Sequence, residues 1–96
     1  MKLFFTSSFI RDYHGLPDQL QRTVEEKLKL FLSNPRHPSL NIKKMQDPRD
    51  IWEGRITKGY RFTFQMEGEI LTLRRLGTHD ILRTLDPDLT VNPYQL

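Results

Sequence analysis

Apolar and polar residues follow different patterns along this chain, and each pattern predicts either a helix or a strand. Residues 2–5 (KLFF) predict a short opening strand. A short helix follows, which Ser7 or Ser8 can cap and which Gly15 ends, because serine accepts hydrogen bonds from free helix N–H groups and glycine ends helices. The chain therefore begins with a strand followed by a helix.

A second helix is predicted from Pro17 to Asn34. Proline is favoured in the first turn of a helix, and the Asn34-Pro35 pair stops helical hydrogen bonding. Between them, large apolar residues recur at spacings of four, four and three, which places them on one helix face. These are Leu20, Val24, Leu28 and Phe31.

The second half of the chain alternates with a period of two, which is typical of strands with one buried face. Strands are predicted at 51–57, 60–66 and 69–76, joined by turns at Lys58-Gly59 and Glu67-Gly68, with a further short strand around 41–45. The residues expected in the core are Trp52, Ile56, Tyr60, Phe62, Phe64 and Met66. We expect an α+β fold over residues 1–96 as a single domain, with two N-terminal helices on one face of a small twisted antiparallel sheet.

The opposite face of this hairpin carries charged residues. Alternation places Glu53, Arg55 and Arg61 together on that face, and His79 follows the end of the third strand. Arginine braces phosphate oxygens, whereas a carboxylate and a histidine can exchange protons near neutral pH. The pattern indicates chemistry on a phosphate; the alternative is a set of cross-strand salt bridges with a surface histidine.

Composition narrows these alternatives only in part. The 96 residues suffice for one core, and the absence of cysteine excludes disulfides and thiolate sites. The net charge of +3 is concentrated between residues 43 and 61, where six basic residues meet three acidic ones, as expected for a surface that binds a polyanion. No apolar run approaches the length of a membrane span, so we expect a cytoplasmic protein without membrane contact.

Four further basic residues and the other two histidines are harder to place. Lys43 and Lys44 are expected to be exposed, while simple alternation puts Arg74 and Arg75 on opposite faces of one strand. His14 and His37 have no neighbour at metal-ligand spacing, so neither a metal nor another cofactor is predicted. The sequence does not decide which of the two arginines joins the charged face.

Three segments in this order resemble the RelE/ParE toxin superfamily of bacterial toxin–antitoxin systems. They are LPDQLQRTVEEKLKLFLSNPRHPSLNIKKM, IWEGRITKGYRFTFQ and EGEILTLRRLGTHD, and the resemblance spans roughly residues 3–83. It rests on the NPRHPSL loop, the WEGRI and GYR hairpin, and the terminal GTH. It implies a microbial RNase fold.

The resemblance implies an mRNA interferase of the RelE-like branch, which is a metal-independent endoribonuclease that cleaves mRNA bound to the ribosome. In this reaction the RNA 2′-OH attacks the adjacent phosphate. Glu53 is then the candidate base and His79 the acid, with Arg55 and Arg61 stabilising the phosphate charge. The candidates for further RNA binding are Lys43, Lys44, Lys58, Arg74 and Arg75.

The implied partners are a cognate antitoxin, mRNA and the ribosome, with operator DNA bound only through the antitoxin complex. Two other functions fit the same resemblance: a ParE-like inhibitor of DNA gyrase, and a catalytically silent module that binds an antitoxin. A glutamate together with a histidine on the charged face favours the nuclease.

Overall fold

The computed structural model describes residues 2–46, 49–83 and 91–92, and these form two helices against a six-stranded sheet. The strand order is β2-β3-β4-β5-β1-β6. The elements in chain order are β1 (Lys2–Thr6), α1 (Ser7–His14), α2 (Asp18–Ser33), β2 (Lys43–Lys44), β3 (Trp52–Arg55), β4 (Arg61–Glu67), β5 (Ile70–Gly77) and β6 (Val91–Asn92), with 3₁₀ turns at Pro38–Leu40 and His79–Arg83.

Helix α1 begins directly after β1, and its N-terminal cap is Thr6. The Thr6 hydroxyl accepts a hydrogen bond from the backbone N–H of Phe9 at 3.1 Å and donates to the Arg74 carbonyl at 2.8 Å. The expectation of a cap at Ser7 or Ser8 is therefore wrong, because both serines already lie inside the first helical turn. The same threonine ties the start of the helix to β5.

Helix α2 packs its apolar stripe on the sheet as predicted. Val24, Leu28 and Phe31 are buried, and the Phe31 ring lies 4.9 Å from that of Phe64 and 5.5 Å from that of Phe62. Such tilted and edge-on ring pairs add to the stabilisation that burial already provides. This packing fixes the core face of the central strands.

The meander β3-β4-β5 is antiparallel and confirms the predicted alternation, except at Met66 and at a bulge in β5. Met66 is 45% exposed, because it lies beside the hairpin turn, two residues before Gly68. Gly68 has a φ of +58°, which favours glycine at this turn. The prediction that Met66 belongs to the core is wrong.

The opening strand makes the sheet mixed rather than purely antiparallel. β1 pairs in parallel with β5, in a register that sets Lys2 opposite Ile70 and Phe5 opposite Leu73. The α+β architecture with two N-terminal helices is confirmed. Within the described ranges, no helix is long and apolar enough to cross a membrane.

Candidate active site

The pairing of three strands brings the predicted site residues onto one face. Glu53 pairs with Lys43 on β2 and with Thr63 on β4, and Arg55 pairs with Arg61. Residues paired across neighbouring strands project their side chains to the same side of the sheet. The shared face of Glu53, Arg55 and Arg61 is thus confirmed, and Lys43 joins it from the edge strand.

The Glu53 carboxylate is buried, although the residue lies on the sheet face opposite the aromatic core. Its side chain is 6% exposed, with Oε1 at 3.1 Å from Lys43 Nζ and at 3.9 Å from Arg61 Nη1. The second oxygen, Oε2, is buried without a hydrogen-bond partner. Leaving a buried acceptor unsatisfied costs about 1–3 kcal/mol, and more for a charged group, so Oε2 is expected to bind a hydrogen-bond donor from outside the chain, such as water or a ligand.

Arg55, two residues along the same strand, has an unsatisfied hydrogen-bond donor that complements the unsatisfied acceptor of Glu53. Its Nε is buried and has no hydrogen-bond partner. In the described part of the chain, Glu53 Oε2 and Arg55 Nε are the two buried side-chain atoms in this condition. An unsatisfied acceptor and an unsatisfied donor on one strand face can both be satisfied by a ligand that offers a hydroxyl and an anionic oxygen.

Gly54, between these two residues, faces the core and sets how closely β3 approaches it. A Cβ at this position would lie 2.3 Å from Phe62 Cζ and 2.8 Å from Ile42 Cδ1. The absence of a side chain therefore lets the Phe62 ring lie directly against the β3 backbone. Sequence reasoning missed this role, although a glycine at a core-facing position of a predicted strand was the available signal.

Arg74 and Arg75 both make internal contacts. The β5 register shifts opposite Thr63 and Phe64, which leaves Arg74 as an extra residue in a β-bulge. Strict alternation therefore fails here, and the expectation of opposite faces does not hold. Arg75 instead binds Asp12 on α1, with Nε at 2.8 Å from Oδ2, and the same oxygen accepts the Leu76 backbone N–H at 3.0 Å.

Arg74 forms a hydrogen bond with Gln65, a residue that the sequence did not indicate as part of the site. The buried Arg74 guanidinium donates from Nη1 to Gln65 Oε1, and Gln65 Nε2 donates to the Arg49 carbonyl at 2.8 Å. This chain of hydrogen bonds connects β5 through β4 to the segment that enters β3. Binding of RNA by Arg74 and Arg75 stays a prediction. Their contacts with Gln65 and Asp12 within the protein do not favour it.

His79 lies in an exposed turn that directly follows β5. Gly77 pairs with Arg61, so His79 follows two residues beyond the arginine's partner. The turn folds back tightly: the Ile81 N–H donates to the Thr78 carbonyl at 3.1 Å, and a Cβ on Gly77 would lie 2.9 Å from Ile81 Cγ2. This turn is a 3₁₀ turn over His79–Arg83.

The remaining lysines lie on the periphery. Lys44 pairs with Asp50 at 2.9 Å, with both side chains more than half exposed, and Lys58 is exposed in the β3–β4 turn. Such exposed pairs contribute little to stability and separate easily when a polyanion binds. Among the residues that the structure describes, no group of three histidine, cysteine, aspartate or glutamate side chains could hold a metal ion.

Comparison with known proteins finds similar structures but no similar sequences. No protein-family model matches the chain, and no curated protein is similar to it. YafQ from E. coli strain BL21(DE3) superposes with a TM-score of 0.72 at 12% identity, over 86% of this chain and 98% of YafQ.

Two further structures have the same architecture. A YoeB/ParE toxin from Agrobacterium tumefaciens gives a TM-score of 0.69 at 20% identity, covering 82% of this chain and 99% of the toxin. A chain of the RelBE2 toxin–antitoxin complex from Mycobacterium tuberculosis gives 0.65 at 21% identity, covering 81% of this chain and 96% of that one. The protein therefore has the RelE/ParE-type toxin fold, as the sequence predicted.

Proposed function

We propose that this protein is the toxin of a type II toxin–antitoxin system and that it cleaves mRNA through the 2′-OH of its substrate. The observation that carries the proposal is the buried Glu53 Oε2, which has no hydrogen-bond partner while Lys43 and Arg61 flank the other oxygen. An acceptor held in place in this way is suited to receive a proton from a hydroxyl group.

The first half of the reaction uses Glu53. Lys43 holds Oε1, so Oε2 stays directed away from that ion pair and accepts the proton of the ribose 2′-OH. The 2′-oxygen then forms a bond to the adjacent phosphorus. DNA lacks this hydroxyl, so the proposed substrate is RNA.

The second half breaks the bond between phosphorus and the 5′-oxygen of the next nucleotide. Arg55 and Arg61 donate to the phosphate oxygens as negative charge accumulates, and the unsatisfied Arg55 Nε is one such donor. His79, exposed in the turn that follows β5, donates a proton to the leaving 5′-oxygen. The products are a 2′,3′-cyclic phosphate and a 5′-hydroxyl.

The proposed partners are an antitoxin, mRNA and the ribosome. The similarity to a chain of the RelBE2 toxin–antitoxin complex supports the first of these. An antitoxin that covers Glu53 and Arg61 would satisfy their charges and exclude RNA, which explains inhibition without a change in fold. We place the protein in the cytoplasm, where mRNA and ribosomes are found, and operator DNA contacts it only through the antitoxin.

Arg61→Ala is the direct test of the catalytic face. Loss of one charge-stabilising donor lowers such rates by roughly 10²–10³-fold, so growth arrest on induction and mRNA cleavage on translating ribosomes should both disappear. Lys29→Ala, which removes an exposed cation on α2, is the matched control. Circular dichroism and urea unfolding establish that both variants fold.

The chemistry of the ends tests the mechanism in the same reactions. Cleaved RNA should carry a 2′,3′-cyclic phosphate, and a single 2′-deoxy substitution at the cleaved nucleotide should block the cut. Full activity of folded Arg61→Ala would remove Arg61 from the mechanism. Intact RNA together with trapped gyrase–DNA complexes would replace the nuclease with a ParE-like function.

A further inference from the structure

A concave surface lies at the loop between α2 and β2, immediately before Lys43. Its volume is about 500 Å³, within the usual range of roughly 300–1,000 Å³ for ligand pockets. It is lined by Pro35, Arg36, His37, Pro38, Asn41 and Ile42. The proposed reaction uses none of these residues.

The walls of this pocket, here called the loop pocket, are fixed by hydrogen bonds. His37 caps the 3₁₀ turn: its Nδ1 accepts the Ser39 backbone N–H at 3.2 Å and lies 2.8 Å from Ser39 Oγ. Lys27 on α2 donates to the same Oγ at 3.1 Å, and Leu40 is fully buried beneath the turn. Because Nδ1 accepts, the neutral His37 ring carries its N–H on Nε2, which is left as a donor.

The charge around the loop pocket favours an anionic ligand. Residues 34–46 include Arg36, Lys43 and Lys44 and contain no aspartate or glutamate. Arg36, Lys43 and Lys44 are all exposed, and the last two form ion pairs with Glu53 and Asp50. Lys43 directly follows the pocket residue Ile42 and forms the ion pair with Glu53, so the loop pocket and the catalytic face are connected through one residue of β2.

We propose that the loop pocket binds a nucleotide of single-stranded RNA next to the cleaved phosphate. The flat His37 ring offers a stacking surface for an unpaired base, and the Asn41 amide offers a donor and an acceptor for its edge. The exposed Arg36 guanidinium binds the phosphate of the same nucleotide. Lys43 lies between the pocket residue Ile42 and its ion-pair partner Glu53, so it is placed to contact the phosphate between the bound nucleotide and the cleaved bond. This inference rests on the proposed function, because it extends the RNA path away from the same site.

The test compares Arg36→Glu with Arg22→Glu, which makes the same charge change on an exposed residue of α2. The probe is a short fluorescein-labelled 2′-O-methyl oligonucleotide, which cannot be cut through a 2′-OH. Anisotropy is measured across a range of KCl concentrations. Loss of one phosphate contact should lower the slope of log K against log salt by about 0.7 for a single strand, and we expect this in Arg36→Glu only.

Two further experiments test whether the base of the bound nucleotide lies in the loop pocket: the Asn41→Gly variant and cross-linking. Asn41 has a φ of 46°, which glycine adopts without strain, so the variant removes the amide and keeps the loop conformation. We expect weaker binding with an unchanged salt slope. RNA containing 4-thiouridine should cross-link to residues 35–42.

The outcomes separate this inference from the proposed function. Cross-links confined to the catalytic face, with Arg36→Glu equal to Arg22→Glu, would overturn the loop pocket while Arg61→Ala still abolishes cleavage. Cross-links in the pocket from a protein that cuts no RNA would support the pocket and reject the nuclease. A change in the sedimentation of RNA-free protein caused by Arg36→Glu would assign the pocket to a second copy of this chain and overturn the proposal.

Discussion

Replacement of Gly54 by alanine should destabilise the protein out of proportion to the single methyl group that it adds. The new Cβ would lie 2.3 Å from Phe62 Cζ and 2.5 Å from Cε1, well inside van der Waals contact. Phe62 is fully buried, with the rings of Phe31 and Phe64 at 5.5 and 5.7 Å on other sides. Because the ring is buried between these neighbours, we expect β3 to move instead.

The size of the effect follows from overpacking. Extra atoms forced into a well-packed core cost about 1–3 kcal/mol, and we expect about 3 kcal/mol because the obstacle is an enclosed aromatic ring. Domains of this kind have total stabilities of about 5–15 kcal/mol, so a large part would be lost. Glu53 and Arg55 flank the displaced residue, and cleavage should fall as well because catalytic groups tolerate little displacement.

Urea unfolding measures the loss. With an m-value of about 1.5 kcal/mol/M, a loss of 3 kcal/mol lowers the midpoint by about 2 M urea. Gly59→Ala is the matched control, because a Cβ at Gly59 meets nothing within 4 Å, and its free energy of unfolding should change by less than about 0.5 kcal/mol.

A double-mutant cycle identifies the cause. Phe62→Leu removes the ring atoms that the new Cβ would meet, so Gly54→Ala should cost less in that background than in the wild type. Equal costs in both backgrounds would show that Phe62 is not the obstacle. A wild-type midpoint for Gly54→Ala alone would refute the argument that the missing side chain sets the position of β3.

Two further predictions concern pH and the turn that carries His79. Burial, followed by the 2.8 Å hydrogen bond to Glu25, raises the pKa of Tyr13 to about 12. Above pH 10 tyrosine ionises in the unfolded chain but not yet in the folded protein, so stability should fall by roughly 1 kcal/mol between pH 9 and 11. Urea unfolding of Tyr13→Phe should lack this part of the decrease. Gly77→Ala should lower the unfolding midpoint less than Gly54→Ala does, because its Cβ would lie 2.9 Å from a methyl group of the buried Ile81. It should also cleave RNA more slowly, because displacement of Ile81 moves the turn that carries His79. An unchanged cleavage rate would show that the turn does not position His79.

Periodicity predicted the elements that local patterns govern. The α2 stripe and the alternation from Trp52 to Phe64 both respond to a single buried face, and each fixes which residues point toward it. For the same reason, the common face of Glu53, Arg55 and Arg61 could be predicted without a structure.

Features that depend on distant contacts could not be predicted in this way. The parallel pairing of β1 depends on β5, which is distant in sequence. The cap at Thr6 depends on where β1 ends. The bulge at Arg74 interrupts the alternation of β5 at a point where the sequence gives no sign of it. The burial of Glu53 likewise depends on the arrival of Lys43 from an edge strand of only two residues. Local sequence determines the direction of a side chain, whereas its surroundings come from the assembled sheet.

The parallel β1–β5 pair also has a consequence for the order in which the protein is made. β1 and α1 are synthesised first, yet the Thr6–Arg74 bond that joins them to the sheet spans 68 residues. During translation these elements have no strand to pair with until residues 70–77 leave the ribosome, and closing so long a loop is slow. The charged face should therefore assemble only late in each round of synthesis, so a partner made at the same time can be present when the protein first folds.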